Sequence, residues 1–176
     1  MGGTYIGQQL LQDRGAGASA IIGIVGEQTA AANARDKGFK DAIAAEPGLQ
    51  VVAEVNGKVE ETTTLKVVTE MLMGNPEMSI VFSSTEPSAL GAIMAIEQLG
   101  RDDVEVYAFV DKLGVQRIEE NTILKAGAIQ EPACLAQILV ENAKAYLGGA
   151  TVEAMVESPP LLVNSENAAE VVDLAY

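Results

Sequence analysis

Five polar side chains stand where apolar runs stop or break: Arg35, Thr85, Glu86, Asp111 and Gln130. Arg35 lies three residues after Ala32 and four before Phe39, so on a helix these three share one stripe, while Asp36, Lys37 and Lys40 point elsewhere. An arginine on such a stripe has two readings. Its stem packs over the edge of the core with the head in water, or its planar fork of donors faces hydroxyls or a carboxylate of a ligand. Asp111 directly follows the apolar run Val106 to Val110. Its carboxylate can accept hydrogen bonds from ligand hydroxyls, cap the short helix that follows, or do both. Gln130 ends another strand-like run just before Glu131-Pro132 and offers donor and acceptor together. Thr85-Glu86-Pro87 reads first as a helix start, with a ligand contact as its second role. Asn56-Gly57 reads as a turn.

The residues that are missing narrow the chemistry. The 176-residue chain has no histidine, which removes histidine-assisted serine or cysteine catalysis, histidine metal sites and the usual proton shuttle near neutral pH. No serine or acid is placed as a nucleophile beside a base. No Gly-x-Gly-x-x-Gly or Walker-type loop follows the first strand-like run, so nucleotide binding lacks its fingerprint. A phospho-acceptor domain would want an aspartate after the third strand and an acidic pair after the first; here stand Ser83-Ser84 and a lone Glu27. The single cysteine, Cys134, forms no internal disulfide and reads as a small apolar residue on a helix. Eleven basic against twenty-five acidic residues leave a net charge of −14, a field that repels nucleic acid and anionic membranes. No apolar run approaches the ~20 residues that span a bilayer, and Met1-Gly2-Gly3-Thr4 lacks the basic start and apolar stretch of a secretory signal. The expectation is a binding domain that is not an enzyme and uses no metal or cofactor.

The elements that must position these side chains alternate. Residues 4–14 form a short amphipathic helix stopped by Gly15-Ala16-Gly17. Strand-like runs at 20–25, 49–55, 78–83, 104–110 and 123–129 are separated by helical patterns. These begin near Thr29, near Thr62, at Pro87 and at Leu113. A longer helix over Pro132 to Leu147 follows, with Leu135, Ile138, Leu139 and Leu147 inward. A tail with Pro159-Pro160 mixes strand-like segments with a short final helix near Ser165. Five strands alternating with helices imply an α/β domain: an open parallel sheet, flavodoxin-like or Rossmann-like, with helices on both faces. Ligands of such sheets bind beyond the carboxyl ends of the strands, where the five polar residues collect.

The pattern ARDKGFKDA, at residues 34–42, resembles the first helix of the carboxy-terminal lobe of periplasmic sugar-binding proteins of the ribose-binding type. GGTYIGQQLLQDRGAGASAIIGIVG resembles that family's crossing into its second lobe. NPEMSIVFSSTEPSALGAIMAIEQLG is similar to the segment that carries Asn-Asp before an Ala-Leu-Gly-Ala helix. VEVYAFVDKLGVQRIEENTILKAGAIQEP is similar to two strands that end in a ligand aspartate and a ligand glutamine. The resemblance implies that Arg35, Asp111 and Gln130 contact a sugar-like polar ligand. It places Thr85 and Glu86 where the family has Asn-Asp, and Val59 where it offers a stacking aromatic.

It further implies a solute-binding protein that serves the membrane subunits of an ABC importer, in the periplasm or cell envelope in its full-length context. Residues 1–130 would be the carboxy-terminal ligand-binding lobe, 131–158 a segment that crosses to an amino-terminal lobe not encoded here, and 159–176 a returning tail. The apolar helix 132–147 would then fold back on this lobe or pair two copies as a homodimer. The alternative is the effector-sensing lobe of a lac-repressor-family transcriptional regulator. Such lobes usually carry a proline-aspartate turn before the fourth strand and a Gly-Phe-Asp-Asp end, where this chain has Arg101-Asp102-Asp103 and Phe109-Val110-Asp111.

Overall fold

A computed structural model describes residues 2–120, 123–156 and 158–175. Met1, the first residue of the start that reads as no secretory signal, Asn121 and Thr122 before the fifth strand-like run, and Glu157 and Tyr176 of the crossing segment and tail lie outside the described residues. The alternation is realised as α1 (Gly2–Arg14), β1 (Ala20–Gly26), α2 (Ala30–Ile43), β2 (Leu49–Asn56), α3 (Glu61–Gly74), β3 (Met78–Ser83) and α4 (Glu86–Leu99). Then come β4 (Glu105–Phe109), α5 (Lys112–Glu119), β5 (Leu124–Ile129), α6 (Pro132–Leu147), β6 (Leu161–Asn164) and α7 (Ala168–Val171). The boundaries follow local chemistry. Thr29 caps α2 by accepting the Ala32 N–H at 3.1 Å. Pro87 sits in the first turn of α4, and Gly100 ends that helix at φ 63°, a left-handed conformation that favours glycine. No helix among the described residues is long and apolar enough to cross a membrane.

The strands form one sheet in the order β2-β1-β3-β4-β5-β6. The first five run parallel, and β6 pairs antiparallel with β5, Ile129 against Leu161 and Ala126 against Asn164. The expected open parallel sheet of about five strands is present, and a sixth strand of opposite direction is added at its edge. The physical reason is that the chain leaves β5 at its carboxyl end and does not recross the sheet over its face. It therefore enters β6 at that same edge and must run back.

Both faces of the sheet are covered. On one, Ile6 and Leu10 of α1 and Phe39 and Ile43 of α2 pack on Ile22, Ile24, Ile80, Phe82 and Tyr107. The rings of Phe39 and Phe82 stack with centroids 4.1 Å apart. On the other, α3, α4, α5 and α7 enclose a second core around Val68, Leu72, Val81, Ile96 and Val106. α1 begins at Gly2, two residues earlier than its apolar spacing suggested, because glycines let it press against α2. A Cβ on Gly3 would lie 1.9 Å from the Arg35 carbonyl oxygen.

α6 departs from expectation. It has no buried residue; Leu139 is 62% and Leu147 84% exposed. The apolar positions expected to point inward have no sheet layer beside them. The helix does not fold back onto the core of this lobe.

Candidate functional site

The chain starts its sheet at β1 and places β2 on one side and β3 on the other, a topological switch point at which α/β sheets open a crevice. A cavity of about 240 Å³ lies at the carboxyl edge and is lined by Arg35, Val59, Thr85, Glu86, Pro87, Phe109, Val110, Asp111 and Gln130. All five candidate residues are there. They arrive from four different connections, after β1, β3, β4 and β5, and the loop after β2 adds Val59.

Arg35 is held in place before any ligand arrives. Its Nη1 donates to the Ser84 carbonyl oxygen at 2.8 Å, and its Nη2 donates to Gln130 Oε1 at 3.3 Å. Its guanidinium carbon lies over the Phe109 ring, 3.8 Å from the centroid. Phe109 itself is 6% exposed. The two readings of Arg35 therefore merge: the stem runs over the core edge while the fork is aimed along the cavity wall. Gln130 orients the same fork from the end of β5.

Glu86 has a role that its neighbours in sequence do not reveal. Its Oε2 accepts the backbone N–H groups of Asp111 at 2.6 Å and Gly114 at 2.8 Å. It thus caps α5 from across the cavity. Asp111 occupies the N-cap position but makes no side-chain cap bond, so the cap expected of Asp111 is supplied by Glu86. Gly114 permits this approach, since a Cβ there would stand 2.7 Å from Glu86 Oε2. Burial raises the Glu86 pKa, partly offset by the two backbone donors. Thr85 is the N-cap residue of α4, and its Oγ1 is buried with no hydrogen-bond partner among the described residues.

The loop after β2 is strained. Lys58 and Val59 both adopt φ 56°, a conformation costing a non-glycine residue of order 1–3 kcal/mol and worst for a β-branched one. The Asn56-Gly57 turn is present, with Asn56 Oδ1 accepting the Lys58 N–H at 2.8 Å. The left-handed residues are nevertheless the two after the glycine.

Behind the site, Asp36 corrects its expected outward direction. It is only 8% exposed, because position 36 follows Ala32 by one helical turn and precedes Phe39 by three residues, so the stripe is wider than three residues. A Cβ on Gly26 would come within 2.5 Å of Asp36 Oδ2. Its Oδ1 has no hydrogen-bond partner among the described residues. Burial pushes its pKa up to about 6; Lys40 and a bond from Ser84 pull it down, and Glu54 and Glu27 add to the rise.

A larger groove of about 560 Å³ opens at the opposite, amino edge of the sheet, lined among others by Asp13, Arg14, Glu105, Tyr107 and Lys125. Its charges largely satisfy one another: Arg14 meets Glu105 at 2.6 Å, and the Tyr107 hydroxyl donates to Asp13 at 2.9 Å. None of the five candidate residues reaches it. No group of three or more metal-ligating side chains occurs among the described residues.

Sequence reasoning missed Phe109 as the platform for Arg35 and Glu86 as the cap of α5. Both contacts join residues far apart in the chain, and no local spacing announces them.

The sequence matches the family described as "Periplasmic binding protein domain" over residues 1–151. The ribose import binding protein of Salmonella typhimurium is 31% identical over 156 residues, covering 88% of this chain and 52% of that protein. Its Bacillus subtilis counterpart is 28% identical over 159 residues, covering 90% and 50%. The chain thus spans about half the length of these relatives. Among solved structures, an ABC transporter periplasmic solute-binding protein from Actinobacillus succinogenes with bound D-allose superposes with a TM-score of 0.85 at 22% identity, over 96% of this chain and 60% of that one. A solute-binding protein from Agrobacterium vitis bound with α-D-tagatopyranose gives 0.86 at 20% identity, over 99% and 59%. These relatives are binding proteins and not enzymes. With its sheet, its switch-point cavity and a match over most of its length, the chain belongs to the periplasmic binding protein domain family.

Proposed function

We propose that the cavity of Arg35, Asp111 and Gln130 binds a small polyhydroxylated solute of the sugar class, with Thr85 and Glu86 at its wall. The observation that carries this reading is the convergence of complementary groups on one hollow from four connections of the sheet. A sugar hydroxyl both donates and accepts, so it needs carboxylate acceptors such as Asp111 and Glu86 beside donors such as the Arg35 fork. The stack on Phe109 fixes that fork in advance and lowers the ordering cost of binding. Ribose import and D-allose binding among the relatives favour the same ligand class. No cofactor enters this reading.

In its full-length context the protein would deliver the solute to the membrane subunits of an ABC importer from the periplasm. Residues 1–130 serve as the ligand-binding lobe, 131–158 lead away from it, and 159–176 return as β6 and α7. One lobe supplies part of the hydrogen-bond shell and leaves much of the ligand wet, so affinity for the lobe alone is weak. Titration of labelled protein with D-ribose and with D-allose, read by amide chemical shifts, tests the reading. Shifts confined to the cavity and lost in Arg35→Ala support it; no saturable shift with either sugar refutes it.

The exposed apolar positions of α6 support self-association of the lobe into a homodimer through that helix. Sedimentation of the wild type and of Leu139→Glu tests this. A concentration-dependent dimer lost in the variant is expected, and a monomer at every concentration refutes it.

A further inference from the structure

Glu27 is an acid buried at the end of β1, 4% exposed, and no described residue forms an ion pair with it. It accepts a hydrogen bond from the hydroxyl of Ser88, which is wholly buried on α4. The Thr64 hydroxyl of α3, equally buried, shares its single proton between two acceptors, Ser88 Oγ at 3.2 Å and the Gly57 carbonyl oxygen at 3.3 Å. The relay therefore ends on the root of the strained loop. Gly57 is further tied by its N–H to the Gly26 carbonyl oxygen at 3.2 Å and receives Glu60 N–H at 3.1 Å. There is no slack in this root: a Cβ on Gly57 would lie 2.4 Å from Thr64 Oγ1 and 2.5 Å from Ser88 Oγ. Two residues on, Lys58 and Val59 take left-handed backbone, and Val59 lines the cavity while 47% exposed.

A left-handed valine that buries so little surface is not held there by its own packing. The surrounding structure must over-determine it. A buried acid without an ion-pair partner depends on its hydrogen bonds to offset its desolvation, and the bond to Glu27 comes from Ser88. We infer that Glu27 is a positioning residue of the binding site: through Ser88 and Thr64 it holds the Gly57 root and so keeps the strained Lys58-Val59 tip turned into the cavity. The inference rests on the sugar-site reading for the purpose of this positioning, while the loop conformation is measurable without any ligand.

Positive φ brings a residue's own amide and α protons close together, so Lys58 and Val59 should show strong intraresidue NOEs in the wild type. Glu27→Ala should lose them, whereas Glu27→Gln, whose amide oxygen can still accept from Ser88, should keep them. If Glu27→Ala does not fold, Ser88→Ala cuts the relay at its next link and is read in the same way. Unchanged NOEs in a folded Glu27→Ala or Ser88→Ala variant overturn the inference. A second arm titrates D-ribose and D-allose: loss of the relay should weaken binding about tenfold, and Val59→Gly, which needs no enforced strain, should make that loss smaller. Lost NOEs with no sugar binding in the wild type would leave the positioning intact and remove the sugar reading instead.

Discussion

Replacing Asp36 with asparagine should stabilise the protein at neutral pH and do nothing at acid pH. Asp36 is buried with one carboxylate oxygen unpartnered among the described residues, and its folded pKa of about 6 exceeds the ordinary 3.8. A folded-state pKa raised above the unfolded one means that the native protein holds the proton more tightly. The stability this provides is fully present below about 3.8 and is lost as pH rises through about 6. Two pKa units correspond to about 3 kcal/mol at most. The Lys40 ammonium and nearby solvent reduce this, so about 1–3 kcal/mol is the expected gain of Asp36→Asn at pH 8. For a chain of this size that is roughly 2–10 °C in Tm. The chain has no tryptophan, so urea unfolding followed by far-UV circular dichroism from pH 4 to 8 is the suitable assay. The difference between variant and wild type should grow with pH across the window from about 4 to 6 and then level off. A difference that is constant with pH, or an asparagine variant less stable at pH 8, would refute the reasoning, because either result means that burial of the charge is not what Asp36 contributes.

Three further outcomes follow from contacts already described. Arg35→Lys should not preserve sugar-induced shifts, since a single ammonium cannot sit over Phe109 and also reach both Ser84 and Gln130 as the two-pronged guanidinium does; retention of those shifts in the same titration would contradict this. Glu86→Ala leaves the Asp111 and Gly114 N–H groups without their acceptor and should cost about 1–3 kcal/mol in denaturant unfolding, with the amides of α5 exchanging faster. Gly3→Ala places a methyl against the Arg35 carbonyl and should cost about 1–3 kcal/mol while pushing α1 away from α2, visible as loss of the contacts between Gly7 and Ala42.

Much of the fold was legible because strand and helix periods differ and the polar stops between them are sharp. β3 and α6 fall at their expected bounds, and β2, α3 and β5 within a residue. The candidate residues were legible for a related reason: a polar group at the end of an apolar strand has few places to be except the carboxyl edge. What stayed hidden depends on contacts between distant segments. Periodicity tells which side of α2 is apolar but not how wide the covered stripe is, and so Asp36 was placed outward. Composition marked Leu139 and Leu147 as apolar but not whether a sheet lay beside them. The direction of β6 depends on which edge the chain returns from, which no residue of Leu161–Asn164 encodes.

That returning strand has a consequence for how the lobe is made. Until residues 161–164 emerge, β5 is the outer strand of a half-built sheet, with one side of its backbone unpaired and Leu124 and Ile129 lacking the cover of Val163, Ala168 and Val171. A newly made chain is then held, for as long as some thirty residues of α6 and its following segment take to be synthesised, with an open and apolar sheet edge. The vulnerable moment of this protein is therefore in its birth, at an edge far in sequence from the element that seals it. Anything that lengthens the interval between β5 and β6 prolongs the period in which two nascent copies can pair with each other instead of with their own tails.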